Sequence, residues 1–242
     1  MSSKLVAFIL GAGSNVGAAV ASKLRENGYQ VALGSRGASE QTTKDDNYLH
    51  VQVDVSDRES ILSAFNSVTE KLGPVNVVIY NGIFFVLGSM CSSLTCFPLA
   101  ASFNAPPTQT DLLSLPAEVY YNSAAIGLGA FTAAQAALKG FRDEAHRDHP
   151  KAFIVTGNVL PYTQKAAPSY FTLGVQKALE TRLIATASEN YEPEGIRFYF
   201  ASLLSKEGAS PGYEIFKKSG KIHSEVYWDL INSKKQGHWD QR

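Results

Sequence analysis

Three glycines, Gly11, Gly13 and Gly17, stand between an apolar run from Leu5 to Leu10 and a segment from Ala18 to Leu24 whose apolar positions recur at helical spacing. Glycine lets a backbone turn sharply and come close to a bound group, and the amide hydrogens and dipole at a helix start favour an anion. With Ser14, Asn15 and Val16 inside it, the stretch is suited to cradling a pyrophosphate; the competing reading is a glycine-rich turn in some other α/β domain. The next apolar run, Tyr29 to Leu33, finishes in Gly34-Ser35-Arg36. An acidic side chain at Ser35 would bond the ribose hydroxyls of a nucleotide and repel a phosphate added there. Arg36 beside it can instead grip such a phosphate through a charge-assisted fork, unless it is a solvated loop arginine. The two cysteines, Cys91 and Cys96, cannot make a metal site by themselves and read as buried small residues.

These groups need a scaffold, and the sequence supplies its pieces in order. Strands are expected at Leu5–Leu10, Tyr29–Leu33, Tyr48–Val53, Val75–Ile79, Ala152–Val155 and Ile196–Ala201. Helices are expected from Ala18 to Asn27, where Gly28 gives a stop, and from Arg58 to Leu72. The second is capped by Ser56 or Asp57, carries Ile61, Leu62, Phe65 and Val68 on one face, and ends at Gly73-Pro74. Further helices are expected over Pro116–Arg142, Ser169–Tyr191 and about Glu225–Asn232. Strands alternating with helices imply an α/β fold with a doubly wound parallel sheet, Rossmann-type, in three α/β/α layers. The 242 residues fit one dinucleotide-binding domain spanning 1–242, with residues 202–242 as a C-terminal extension on the substrate side.

Lysine plus arginine balance aspartate plus glutamate at 22 each, and no basic run occurs, so nucleic acid is not expected as a partner. Met1-Ser-Ser-Lys4 runs into the first strand without a signal peptide, which makes a cytoplasmic protein the expectation. No charged residue occurs from Pro74 to Thr110, and Ile83 to Ala101 has the length of a membrane span. Gly88, Ser89, Ser92, Ser93, Thr95 and Pro98 interrupt it, so it is read as an insertion or lid within residues 83–110 and not as a membrane segment. His146 and His149, near a helix end, read as solvated.

The chain resembles the short-chain dehydrogenase/reductase family to about Ala201. Gly11-x-Gly13-x-x-x-Gly17 is similar to that family's glycine loop, with Asn15 where its middle glycine usually sits. Asp54-Val55 is similar to the pair that contacts adenine, and Tyr80-Asn81-Gly82 resembles the Asn-Asn-Ala-Gly motif. Phe153-Ile-Val-Thr-Gly-Asn158 and Leu173-Gly-Val-Gln-Lys177 resemble a divergent fungal-type branch described as NADP-binding. The resemblance implies a nicotinamide cofactor held by Gly11, Gly13, Ser14, Asn15, Val16, Gly17, Ser35, Arg36, Asp54, Val55, Asn81, Gly82 and Lys177. Ser35 and Arg36 favour NADP(H) over NAD(H).

In that family a tyrosine donates the proton, a lysine four residues later lowers its pKa, a serine fixes the carbonyl, and an asparagine anchors a water relay. Lys177 fits the lysine, but Leu173 stands in place of the tyrosine and Thr156-Gly157-Asn158 holds no serine. Ile126 falls where the asparagine is expected, and Ser202-Leu203 replaces the Pro-Gly that shapes the nicotinamide pocket. Candidate replacements are Asn158, Tyr162 and Tyr170, the last on the Lys177 face only if its helix begins by Ser169; their plain alternatives are a turn residue, a loop aromatic and helix-end packing. Lys177, Asn158 and Tyr170 are therefore the catalytic candidates. Tyr213-x-x-x-Lys217 also satisfies the Tyr-x-x-x-Lys spacing but lies beyond the sixth strand and reads as a chance match.

The resulting expectation is an NADP(H)-binding oxidoreductase with an atypical site, acting on a small-molecule carbonyl or alcohol. The alternatives are a non-redox nucleotide-binding protein with a structural or regulatory role, and a domain that binds no nucleotide. The helices at Pro116–Arg142 and after Ser169 are the pair through which family members self-associate, and Ala130, Ala133, Ala134 and Ala137 permit a homo-oligomer.

Overall fold

The computed structural model describes residues 4–37, 47–82, 111–163 and 168–242. In chain order they form β1 (Leu5–Leu10), α1 (Val16–Glu26), β2 (Tyr29–Ser35), β3 (Leu49–Gln52), α2 (Arg58–Leu72) and β4 (Val77–Tyr80). There follow α3 (Ala117–Phe141), β5 (Lys151–Thr156), α4 (Phe171–Tyr191), β6 (Ile196–Ala201), α5 (Tyr213–Phe216), α6 (Gly220–Asn232) and β7 (Asp240–Gln241). All strand pairs are parallel, in the order β3-β2-β1-β4-β5-β6-β7. The winding direction reverses between β1 and β4, and at such a switch point the carboxyl ends of the strands open a crevice.

The central strands β1 and β4 are covered on both sides, which is why they are apolar, whereas the edge strand β3 keeps His50 and the exposed Gln52. Val6, Phe8 and Leu10 of β1 pack toward α2, α3 and α4 with Phe65, Ile126 and Ile184. Ala7 and Ile9 pack the other way, against Val20 and Leu24 of α1 and Tyr227 and Ile231 of α6. The ends of α2 show how locally its limits are set: the Asp57 side chain accepts from the Glu59 amide at 3.0 Å, and Gly73, at φ +113°, closes it. Helix α3 rides close beneath the β3 loop, so that a Cβ at Gly129 would lie 1.9 Å from the Val55 carbonyl oxygen. That approach fixes the loop carrying Asp54 and Val55.

Three expectations are corrected. A seventh strand, β7, extends the sheet, secured where the Phe200 amide donates to the Trp239 carbonyl and the Ser202 amide to the Gln241 carbonyl, both at 2.8 Å. Two residues are too few for any periodicity to reveal. Helix α6 begins at Gly220 and not near Glu225, because its first turn is anchored by contacts distant in sequence. His146 is not solvated: it is fully buried, and its Nε2 lies 2.7 Å from the Pro74 carbonyl oxygen. The segment 83–110, with Cys91 and Cys96 and the membrane question it raised, lies outside the described residues. Among the described residues no helix is long and apolar enough to cross a membrane.

Burial pushes the His146 pKa below its ordinary value, the Pro74 contact opposing this only partly. A base depressed in the folded state stabilises it in neutral form, so its contribution is present above about pH 6.5 and is lost as pH falls below that. Urea unfolding midpoints should therefore drop between pH 7.5 and pH 5.5. His223, also depressed by burial, acts in the same sense. His146→Gln, which keeps a donor toward Pro74 without a titrating ring, should flatten the slope measurably; an unchanged slope would remove His146 as its source.

Candidate active site

The turn after β1 is built by interlocking backbone bonds. Gly11 and Ala12 amides both donate to the Gly34 carbonyl, at 2.9 and 3.1 Å, and Gly13 donates to Gly11 at 2.8 Å. Gly11 has φ +86°, in the left-handed region that favours glycine, and a Cβ there would sit 2.5 Å from the Asn81 carbonyl oxygen. Asn81 returns its side chain, Nδ2 donating to the Gly11 carbonyl at 2.8 Å, so the ends of β1 and β4 are tied across the switch point. A Cβ at Gly17 would lie 2.8 Å from the Ala12 Cα, while the space beside Gly13 is open to 4 Å. The backbone amides of Ser14, Asn15, Val16 and Gly17 have no hydrogen-bond partner among the described residues, and they lie at the start of α1.

A pyrophosphate fits this arrangement. The donors it needs are unspent, the loop glycines leave room, and Asn15 does not fill the cleft. Its amide turns away, Nδ2 donating to the Phe216 carbonyl at 2.8 Å and Oδ1 accepting from the Gly220 amide at 3.0 Å. Arg36 follows β2 directly and is half-buried; its backbone is held by β3, with Gln52 Nε2 donating to its carbonyl at 3.4 Å and the Val53 amide donating to Ser35 at 3.0 Å. Asp54 uses Oδ1 to hold the turn, accepting from the Ser56 amide at 2.9 Å and the Ser56 hydroxyl at 2.6 Å. Val55 is buried beside it.

The proton-handling candidates are not brought together. Lys177 is fully buried; its ammonium donates to the Thr156 carbonyl at 2.9 Å and to Glu180 Oε2 at 2.7 Å. Gln176 completes the knot, Nε2 donating to Glu180 Oε1 at 2.8 Å and to the Gly82 carbonyl at 2.9 Å. Burial pushes the lysine pKa down and the carboxyl pKa up, and each charge draws its partner part of the way back. The cluster thus bridges the end of β4 to the end of β5.

Tyr170 stands apart from it. Residues 168–170 form a 3-10 turn and α4 starts only at Phe171, so Tyr170 is its N-cap and 37% exposed, whereas Lys177 seven residues later is fully buried. Asn158 holds a turn, its Oδ1 accepting from the Leu160 amide at 3.0 Å. Tyr162 lies under the Arg242 guanidinium, 4.0 Å from the ring centre, with burial beside Asp240 pushing its pKa up. Leu173 is buried on α4, one turn before Lys177.

Sequence reasoning missed three members of this region: Gln176, Glu180 and Tyr227. Glu180 had a signal, a carboxylate three residues after the lysine on one helix. Tyr227 had none, because its hydroxyl reaches the Thr156 hydroxyl, at 2.8 Å, from 71 residues away. Beside it a cavity of about 280 Å³ opens at the carboxyl end of β6, between Ser202, Leu203 and Leu204 and the α6 side chains Ile222, His223 and Val226. The His223 Nδ1 lies 2.9 Å from the Ser219 carbonyl oxygen, so neutral His223 carries its hydrogen on Nδ1 and leaves Nε2 an acceptor.

Comparison with known proteins gives this arrangement a context. The family model described as short chain dehydrogenase matches residues 5–90. The short chain dehydrogenase/reductase dmxR12 of Cryptosporiopsis sp. (strain 8999) is 32% identical over a 243-residue alignment covering 100% of this chain and 92% of that protein. A Burkholderia cenocepacia J2315 short chain dehydrogenase in complex with NADP superposes with a TM-score of 0.67 at 15% identity, covering 96% of this chain and 92% of that one. A Brucella ovis oxidoreductase of the short chain dehydrogenase/reductase family, with a partially ordered NAD, gives 0.68 at 15% identity, covering 95% and 94%. The structural matches show the fold. The relative alignable from end to end carries the rest: the chain belongs to the short-chain dehydrogenase/reductase family of oxidoreductases.

Proposed function

We propose that this chain is an NADP(H)-dependent oxidoreductase that interconverts a small-molecule carbonyl and its alcohol, using a site without the usual tyrosine. The observation that carries the reading is the pairing of unspent amides at the start of α1 with a guanidinium at the end of β2 and no carboxylate at Ser35. Gly11 to Gly17 would hold the pyrophosphate, Arg36 and Ser35 the added phosphate, Asp54 and Val55 the adenine, and Asn81, Gly82 and Lys177 the nicotinamide side. The cofactor, once bound, supplies and accepts hydride. The chain's own part is to bind and orient, with Asn158 toward a substrate oxygen, to exclude water beside the apolar cavity walls, and to leave Tyr170 or an ordered water to move the proton. Structural neighbours hold either form of the cofactor, so the preference rests on residues 35 and 36.

Equilibrium titration of NADPH and NADH tests this. Arg36→Ala should weaken NADPH binding by about 10- to 100-fold, the range for hydrogen bonds to a charged group, and leave NADH nearly unchanged. Equal affinity for both forms in the parent protein would overturn the NADP(H) preference. A carbonyl panel monitored for NADPH oxidation tests turnover, and tight binding with no consumption of any substrate would overturn the oxidoreductase reading. Ala130, Ala133, Ala134 and Ala137, expected to face a partner, are buried in the core of the fold itself, so self-association through α3 would fall to the exposed Tyr121, Leu128 and Phe131, measurable by sedimentation.

A further inference from the structure

Asn15 occupies the N-cap position of α1 but makes no capping hydrogen bond. Asparagine is favoured there because its side chain ordinarily accepts from the second or third helical amide. Here both ends of the side-chain amide are spent on the far end of the chain, at Phe216 and Gly220, 201 and 205 residues away. The receiving surface is shaped to it. A Cβ on Gly220 would lie 2.7 Å from the Asn15 carbonyl oxygen, 2.9 Å from its Oδ1 and 3.0 Å from the Ala19 Cβ. The bonds continue outward: the Ser219 hydroxyl donates to the Phe216 carbonyl at 2.7 Å, and the Ser219 carbonyl holds the His223 ring.

We infer that Asn15 is a positioning residue that docks the segment from Ser202 to Ser219 onto the pyrophosphate-facing turn. The segment runs from the carboxyl end of β6 to the start of α6, and α6 supplies Ile222, His223 and Val226 to the cavity wall. A glycine at position 15 would preserve the turn but remove both of these hydrogen bonds, while the Lys23–Glu225 ion pair between α1 and α6, at 2.8 Å, would remain. The side-chain amide therefore sets the register of the substrate-side wall and not the affinity of the cradle. The consequence for substrate rests on the oxidoreductase reading above; the docking itself does not.

The test separates the two. Asn15→Gly should fold normally, since glycine is nearly as good an N-cap and no cap bond is lost. Trypsin should then cut after the exposed Lys217 and Lys218 about tenfold faster in the protein without cofactor, as loss of two modest hydrogen bonds would give. Gly220→Ala should open the same junction from the other side. A cleavage rate within twofold of the parent in either variant overturns the inference. In turnover, Asn15→Gly keeps the backbone amide of the cradle and should raise substrate KM about tenfold, a larger factor than its loss of NADPH affinity; an equal or larger loss of NADPH affinity would mean that the Asn15 side chain serves the cradle and overturns it as well. A parent protein that turns over no substrate defeats the oxidoreductase reading and leaves the proteolysis result to decide the docking.

Discussion

Replacing Glu180 by alanine is expected to destabilise the protein by about 3–5 kcal/mol, the range for stripping one partner from a buried ion pair. The pair is fully buried at 2.7 Å, and without the carboxylate the Lys177 ammonium keeps only the Thr156 carbonyl. Gln176 would lose one of its two acceptors in the same stroke, keeping the Gly82 carbonyl. Lys177→Met should cost a similar amount by leaving a buried carboxylate. The double variant Lys177→Met/Glu180→Leu should recover most of the loss, because two apolar groups carry no desolvation penalty. Urea unfolding of the four proteins checks this, and additive losses in the double variant would refute the pair as a unit. Turnover then decides what Lys177 does: with stability restored, NADPH consumption should remain at least about tenfold down if the ammonium also serves the nicotinamide side. A fully active double variant would reduce the cluster to a tie between the ends of β4 and β5.

The second large effect is expected at Gly11. An alanine there meets a backbone at φ +86°, costing about 1–2 kcal/mol for an L-residue, and its Cβ falls 2.5 Å from the Asn81 carbonyl oxygen. Backbone and not a flexible side chain is in the way, so β1 and β4 must separate or the turn must unwind. Because that turn aims the amides of Ser14 to Gly17, losing the aim of even one of them should lower cofactor affinity by about 10- to 100-fold, the range for a hydrogen bond to a charged group. Gly13→Ala is the control, with nothing within 4 Å of its new methyl, and its melting temperature should stay close to the parent's. Calorimetric titration and thermal melts of both variants test the contrast. Gly11→Ala binding within threefold of the parent would show that the turn does not shape the cradle.

Much of the frame was legible because its causes are local. The central strands β1 and β4 announced themselves as apolar runs, since a parallel strand covered by helices on both faces has few polar positions to offer. The limits of α2 could be read from Asp57 and Gly73, whose cap and positive φ act within one turn of their own position. The glycine loop was legible for the same reason: backbone space and backbone angles are properties of the residues that carry them. The short strand β7 and the start of α6 were not, because each depends on partners about 40 and about 200 residues away.

The sequence by itself determined a parallel α/β sheet, a glycine turn after its first strand, and a leucine, Leu173, four residues before Lys177. Only the tertiary structure decided what the remaining polar groups do. It turned Asn15 away from the cleft, buried His146 against Pro74, left Tyr170 partly exposed at the start of α4, and joined Lys177 to Glu180 between Gly82 and Thr156. The physical reason is the reach of the interaction. Apolar periodicity and glycine geometry are written along a few consecutive residues, whereas a hydrogen bond or ion pair is fixed by which distant atoms the packed core brings within 3 Å, and its strength by how much water that packing removes.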